Sequence, residues 1–591
     1  MTSGTGTSTT GTSRTFDHED ALPRVPLPAL DDSCDRFLEW CAPLLTADEL
    51  AATTAAVDRF REGPGPVLHA ALAEYDAEPG VHSWLDGFWR RRYLGRRDRI
   101  ALNANFFFLF QPADGEPGQV ERAAALTAAA VAFQRRIAAQ EVPPDVVRGR
   151  PLSMEQLKYV FSACRIPGAE IDSSRTEFPP TARHVVVLHH GAAHRLDVVA
   201  PSGEPHTTAE IAAGLRAVLA ASPDRGPAVG HLTTEARAEW AASREALRAL
   251  DPANAEACET IESALFCLAL EDLVPSSAQE ACAHLLHGDS GNRWFDKSLT
   301  LVVFGDGTAG LNGEHCELDG TTVVAFIDAV TGVPAVDGAP QGEPARAPVG
   351  FVLDDALRAE VDAAGRAFAD YAAATATATL SVPDFTSTTA KELGCSPDAF
   401  AQLAFQLAHQ RARGSIGATY ESIATRHFRR GRTEAMRVVT PEIVEFVAAM
   451  DDPDADRDAR RAAFRAAAAA HVLRARQCQE GEAPEQHLWA LQMTGARRGA
   501  ELGVADEPEL YSSPGWRILR DDVLSTSSVP SPRVQFFGFG STSPTCIGVG
   551  YGLQHDRFDI HLSTPASVRG QMTVFADRVR DAVAELVALL S

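Results

Sequence analysis

The segment GLNGEHCELDG (310–320) places His315 four residues before Asp319. An imidazole is the default proton acceptor near neutral pH, and a nearby carboxylate can fix its tautomer and orientation. The pattern E-H-x3-D-G is short, and a histidine closing a strand is more often structural than catalytic. Cys316 invites a thiol nucleophile. Neighbours on an extended strand point to opposite faces, so Cys316 and His315 do not make a nucleophile–base pair. LSTSSVP (524–530) sets Ser525, Thr526 and Ser527 in a row. Alone, such a run is ordinary turn or cap chemistry. His189, His190 and His194 give H-H-x3-H, but the first two are expected on alternate faces, with no carboxylate or cysteine at ligand spacing; no metal site is expected. The arginine-rich YESIATRHFRRGRTEAMR (420–437) reads as a solvated face or a salt-bridge lattice. There is no Walker-type loop, and the G-x-G patterns at 538–543 and 548–552 sit on strands without the helix that dinucleotide binding needs.

Elements of both kinds must carry these residues. Cys34, Phe37, Leu38, Cys41, Leu44 and Leu45 recur at helical steps, with Asp31 or Asp32 as cap. HSWLDGFWRRRYLG (82–95) predicts a helix with aromatics on one side and arginines on the other. Further helices are expected at 121–140, 207–221 (capped by Thr207 or Thr208), 397–414, 440–452, 456–478 and 568–590. RIALNANFFFLF (99–110) is a strand or buried crossing. HVVVLHH and HRLDVVAP predict two strands about Gly191, and 298–315 predicts strand, D-G turn, strand. Later strands fall at 533–540, 546–553 and 557–564. Gly, Pro and Ala crowd 331–350, the best internal boundary. Helices and strands so mixed argue an α/β or α+β class with two similar halves.

The whole chain excludes some functions. Its 591 residues carry 54 Lys+Arg against 79 Asp+Glu, a net charge of −25. Such a body repels phosphate backbones and anionic lipid, so neither nucleic acid nor membrane is an expected partner. No apolar run reaches the ~18 residues of a membrane helix. Residues 1–21 open with small polar residues that bury little surface, predicting a disordered tail and no secretory signal. Ten scattered cysteines without C-x-x-C suit a reduced, cytoplasmic chain. Only Lys158, Lys297 and Lys391 are lysines; every other basic residue is arginine.

Taken together, these segments resemble the carnitine/choline acyltransferase family. The match runs from LPRVPLPALDDSCDRFLEW through PLSMEQLKYVFSACRIPG, SGNRWFDKSL, GLNGEHCELDG, SPDAFAQLAFQLA and ATYESIATRHFRRGRTEAMR to LSTSSVP and VQFFGFG, in the family's order. The resemblance implies two α/β domains of the chloramphenicol-acetyltransferase kind: N-terminal helices (22–92) packed on the C-terminal domain, one domain over 93–350 with the catalytic histidine, another over 351–591, and an active-site tunnel between them. It implies His315 as the base, Asp319 as its acidic support and Ser527 as the hydroxyl near the oxyanion, with no acyl-enzyme. Coenzyme A or acyl-CoA is the implied co-substrate, with Lys391 and Ser525 on its side. Tyr420, Thr433, Thr526 and Phe537 match acceptor-site positions, and Gln486 stands where an arginine would pair with the acceptor's carboxylate. Gln535 occupies the chain-length position, where a side chain implies short acyl groups, acetyl to butyryl. A monomer acting on small molecules is expected. Two alternatives stand beside it: an O-acyltransferase of specialised metabolism with another alcohol and a carrier-protein donor, and a non-catalytic binding module on the same fold.

Overall fold

A β-branched run such as HVVVLH can bury both faces only where helices cover the sheet on each side. A computed structural model of the chain describes residues 13–222, 224–332, 337–529 and 531–591. His184–His189 lies inside an eight-stranded mixed sheet, ordered Arg346–Val349, Ala192–Asp197, His184–His189, Cys267–Leu270, Leu299–Val303, Ala309–Gly313, Phe106–Phe110 and Val534–Phe539. Alternation divides its side chains between two cores. Phe106, Phe108 and Phe110 pack with helices Gln119–Ala138, Thr208–Ala221 and Gly320–Gly332; Phe107 and Leu109 pack with Arg237–Leu250, Ala278–Leu286 and Asp355–Ala373. The expected hairpin holds: Leu301 pairs with Leu311 across the turn.

A second sheet has six strands in the order Thr375–Val382, Phe558–Pro565, Ile547–Leu553, Leu524–Ser528, Thr419–Ala424 and Thr433–Arg437. Helices Pro397–Arg413, Arg457–Gln479 and Arg569–Leu590 close its core. The triple hydroxyl, which locally suggests a turn, lies within Leu524–Ser528, with Tyr420 opposite Ser525 and Glu421 opposite Thr526. Strands on both sides satisfy this backbone, and those ladders outweigh the local side-chain bonds that favour serine in turns.

Val534–Phe539 leaves its neighbours in sequence and joins the first sheet, pairing Phe537 with Phe108 and Phe539 with Phe106. The two sheets therefore do not divide the chain at 350. Without this strand the wholly buried Phe106–Phe110 would be an open edge. Helices Leu30–Cys41, Ala47–Glu62, Pro64–Asp76 and Trp84–Leu94 bury Phe37, Trp40, Phe60, Trp84 and Trp89 in one cluster with Leu488, Trp489 and Leu491 of helix Pro484–Leu502.

Two local expectations change. The first helix begins at Leu30 after Ala29, so Asp31 and Asp32 sit inside its first turn, favouring the helix dipole without capping it. Thr207, by contrast, caps its helix in a capping box with Glu210. Within residues 13–21 of the expected tail, particular side chains dock on the domain: buried Thr15 donates to the Val142 carbonyl at 2.7 Å, and Glu19 accepts from Ser153 at 2.9 Å. Residues 1–12 lie outside the described residues. No helix among the described residues is long and apolar enough to cross a membrane.

Candidate active site

A cavity of about 430 Å³ is lined from both sheets, a size suited to a small molecule. The first sheet contributes Phe106, Phe537 and Phe539, with His315 just beyond Gly313; the second contributes Tyr420, Thr433, Ser525 and Ser527. Helix Trp84–Leu94 adds Trp89, Arg92 and Tyr93, and helix Pro484–Leu502 adds Glu485 and Gln486.

The chain delivers His315 from a fixed position. Asn105 donates to the Asn312 side chain at 2.9 Å, and Asn312 donates to the Leu285 carbonyl at 2.9 Å. Buried Arg165 holds Glu314 at 3.0 Å. His315 Nδ1 lies 2.7 Å from the Leu318 carbonyl oxygen. A carbonyl only accepts, so Nδ1 carries the proton and Nε2 keeps its lone pair. The ring lies against Tyr93 and Phe106, at centroid distances of 4.8 and 5.1 Å. Burial holds its pKa below the ordinary 6.5, outweighing the opposing pull of Asp319.

Asp319 is placed differently from the expectation that it would fix the tautomer. Its Oδ1 is 3.7 Å from His315 Nδ1, and the Leu318 carbonyl takes that proton instead. The carboxylate is gripped by Arg432, whose Nε and Nη2 donate at 2.8 and 3.0 Å, and by Gln156 at 2.7 Å. Burial pushes the Asp319 carboxyl up, but Arg432, His315 and Gln156 together hold it below the usual carboxylate range. Asp319 thus supplies negative charge near the imidazole. Arg432 also donates to the Cys316 carbonyl at 3.1 Å, tying the turn that carries His315.

Ser525 and Ser527 share one face of their strand, and Ser527 Oγ lies 3.1 Å from Ser422 Oγ. Thr526 lines the cavity, but its only hydroxyl proton goes to the Tyr420 carbonyl at 2.8 Å while it accepts from Gln402 at 2.8 Å. That proton is not free for a substrate. Phe537 stacks on Phe108 at 4.9 Å. Burial raises the Tyr420 phenol far above its usual pKa, so it stays a donor. Glu485 and Asp522 are both bridged by Arg437.

Of the residues singled out in sequence, His315, Asp319, Ser525, Thr526, Ser527, Tyr420, Thr433, Gln486 and Phe537 meet at the cavity. Lys391 does not line it; it is exposed near the end of helix Ser387–Glu392. Gln535 does not line it either: half-buried, it is the residue skipped where Leu109 pairs with Phe536 and Phe110 with Val534. Arg432, Gln156, Tyr93 and Arg92 were not foreseen. Arg426, Arg432 and Arg437 are buried, so the arginine-rich stretch is a lattice inside the protein rather than a solvated face. His189 and His190 do not alternate. A positive φ of 51° at His190 stacks the two rings at 3.9 Å, and both Nε2 atoms approach Asp272, at 3.4 and 2.5 Å.

Residues 25–581 match the family model described as Choline/Carnitine o-acyltransferase. Mitochondrial carnitine O-palmitoyltransferase 2 of Mus musculus is 33% identical over 93% of this chain and 89% of its own. Peroxisomal carnitine O-octanoyltransferase of Mus musculus is 31% identical over 93% of each chain. Carnitine O-acetyltransferase of Rattus norvegicus is 30% identical over 93% of this chain and 90% of its own.

Proposed function

Because the chain belongs to the choline/carnitine O-acyltransferase family, we propose that it moves a short acyl group from acyl-CoA to the hydroxyl of a carnitine-like alcohol, with His315 as general base. The observation that carries this reading is the Nδ1 contact to Leu318, which leaves Nε2 as the basic nitrogen of a ring bordering the cavity. Nε2 takes the alcohol proton as the oxygen attacks the thioester carbonyl. Negative charge gathers on the carbonyl oxygen, where the Ser527 hydroxyl donates. The carbon–sulfur bond breaks, and the imidazolium returns the proton to the departing thiolate. Asp319 stabilises the transient imidazolium. No enzyme nucleophile enters; Cys316 is buried, and burial drives its thiol pKa far up. Holding both substrates together supplies about 7–11 kcal/mol, against about 2.7–4 for one oxyanion donor.

The relatives act by name on palmitoyl, octanoyl and acetyl groups, so family membership leaves chain length open. The short-chain reading rests on the family resemblance at Gln535 alone, since that residue does not line the cavity. Thiol release from acetyl-, butyryl- and palmitoyl-CoA, with carnitine, choline and a panel of other alcohols, tests the whole reading. Turnover of acetyl-CoA, lost by about 10²–10⁴-fold in His315→Ala, is expected. Equal rates with palmitoyl- and acetyl-CoA would remove the chain-length reading. Full activity in His315→Ala would remove the mechanism. Turnover only from a loaded carrier protein would move the donor to the second reading.

A further inference from the structure

We infer that Arg92 selects an acceptor bearing a carboxylate, supplying its counter-charge from helix Trp84–Leu94. The inference rests on the acyl-transfer reading and adds the chemistry of the acceptor. Four arginines line the cavity: Arg92, Arg96, Arg437 and Arg520. Arg437 holds Glu485 at 2.6 Å and also Asp522; Arg520 approaches Glu485 at 3.7 Å; Arg96 is paired with Asp98 at 2.8 Å. The third lining carboxylate, Asp319, belongs to Arg432. Among the described residues, no carboxylate lies within 4.0 Å of Arg92, and its side chain reaches only the neutral Gln486 Oε1, at 3.4 Å. One guanidinium at the wall of the cavity that borders the reacting histidine thus makes no ion pair within 4.0 Å among the described residues, although Glu485 and Asp522 feel its charge.

Its place follows from the helix. Ser83 caps the first turn, Trp84, Leu85, Phe88 and Trp89 face the core, and Arg92, three residues after Trp89, shares the face of that ring. The guanidinium packs between two indoles, 5.8 Å from the centre of Trp89 and 5.4 Å from Trp489. Aromatic faces attract and orient a planar cation while leaving its edge free for hydrogen bonds. Gln486, itself buried, has a neutral oxygen that a carboxylate would outcompete for that edge. Tyr420, whose hydroxyl stays protonated, lines the same cavity as Arg92. A fork and a phenol so placed offer donors to one anion. A neutral or purely cationic alcohol uses neither and meets an arginine with no carboxylate within 4.0 Å among the described residues.

The test compares carnitine, which has the carboxylate, with choline, which lacks it, in wild type, Arg92→Gln and the relocated pair Arg92→Gln/Gln486→Arg. Arg92→Gln should raise the carnitine KM by about 10- to 100-fold, the loss of one charge-assisted contact. The carnitine kcat should change little and choline turnover should not fall. The double variant, with its guanidinium on the neighbouring helix, should recover much of the carnitine KM, which a merely structural role would not allow. An unchanged carnitine KM in Arg92→Gln, or wild type using choline as well as carnitine, overturns the inference and leaves acyl transfer standing. Calorimetric titration with carnitine separates the remaining outcomes. Binding that is present in wild type, lost in Arg92→Gln and unaccompanied by turnover keeps the anion site and sinks the acyl-transfer reading. No binding and no turnover in wild type sinks both.

Discussion

Burial holds the His315 pKa below 6.5, and a backbone carbonyl rather than a carboxylate fixes its proton on Nδ1. This sets the sign of the pH response. Only the neutral ring accepts a proton, and a depressed pKa keeps it neutral at lower pH. The rate kcat/KM should therefore stay flat as pH falls past 6.5 and drop only below the depressed pKa of the ring, by about ten-fold per unit. Asp319 pulls the imidazole pKa upward. Asp319→Asn should accordingly move the acid limb to still lower pH while reducing the maximal rate. A pH–rate profile of both proteins checks the pair of shifts, and a limb above 6.5 in wild type would contradict the burial argument. Residue type and spacing make His315 and Asp319 candidates, and the family resemblance singles them out. Arg432 and Gln156, which hold the carboxylate, could not be picked out, because they come from segments far away in sequence.

The strand Val534–Phe539 decides how the sheets meet. Gly550, on the second sheet, lies so close to it that a Cβ there would collide with the Phe537 carbonyl oxygen and crowd Gly538 Cα at 3.1 Å. Backbone cannot swing aside as a flexible side chain can, so the strand bearing Phe537 must shift. Gly550→Ala should destabilise the protein by about 1–3 kcal/mol, the usual range for overpacking, and lower kcat more than a remote substitution of equal cost. Thermal unfolding with steady-state kinetics reads both; native stability and activity would show that the sheets have room to part. At this scale, periodicity marked most helices and the hairpin before His315. It could not show that 534–539 pairs with 106–110, because register depends on which edge is open, and alternation within one strand does not name its partner.

Over the whole molecule, a net charge of −25 surrounds a site whose proposed donor, acyl-CoA, is itself a polyanion. Long-range repulsion slows encounter and is screened within about 8 Å at physiological salt. Raising ionic strength from low to physiological values should therefore lower the KM for acetyl-CoA, by about two-fold or more, with kcat unchanged. A KM that rises with salt would mean that local cations, such as exposed Lys391, dominate capture. The amino-acid sequence by itself determined the class of fold and the acidic surface, since these depend on residue type and periodicity, while the histidine and the hydroxyl run stood out only through the order of the family's motifs along the chain. Tertiary structure alone decided which groups touch: the bidentate grip of Arg432 on Asp319, the spent proton of Thr526, the stacked pair at His189 and His190, and the contact of Arg92 with Gln486. Each depends on distances between chain segments tens to hundreds of residues apart, or on a single backbone angle at a turn. Hydrogen bonds and charges act over a few ångströms, and no local pattern in the chain encodes which distant segments come that near.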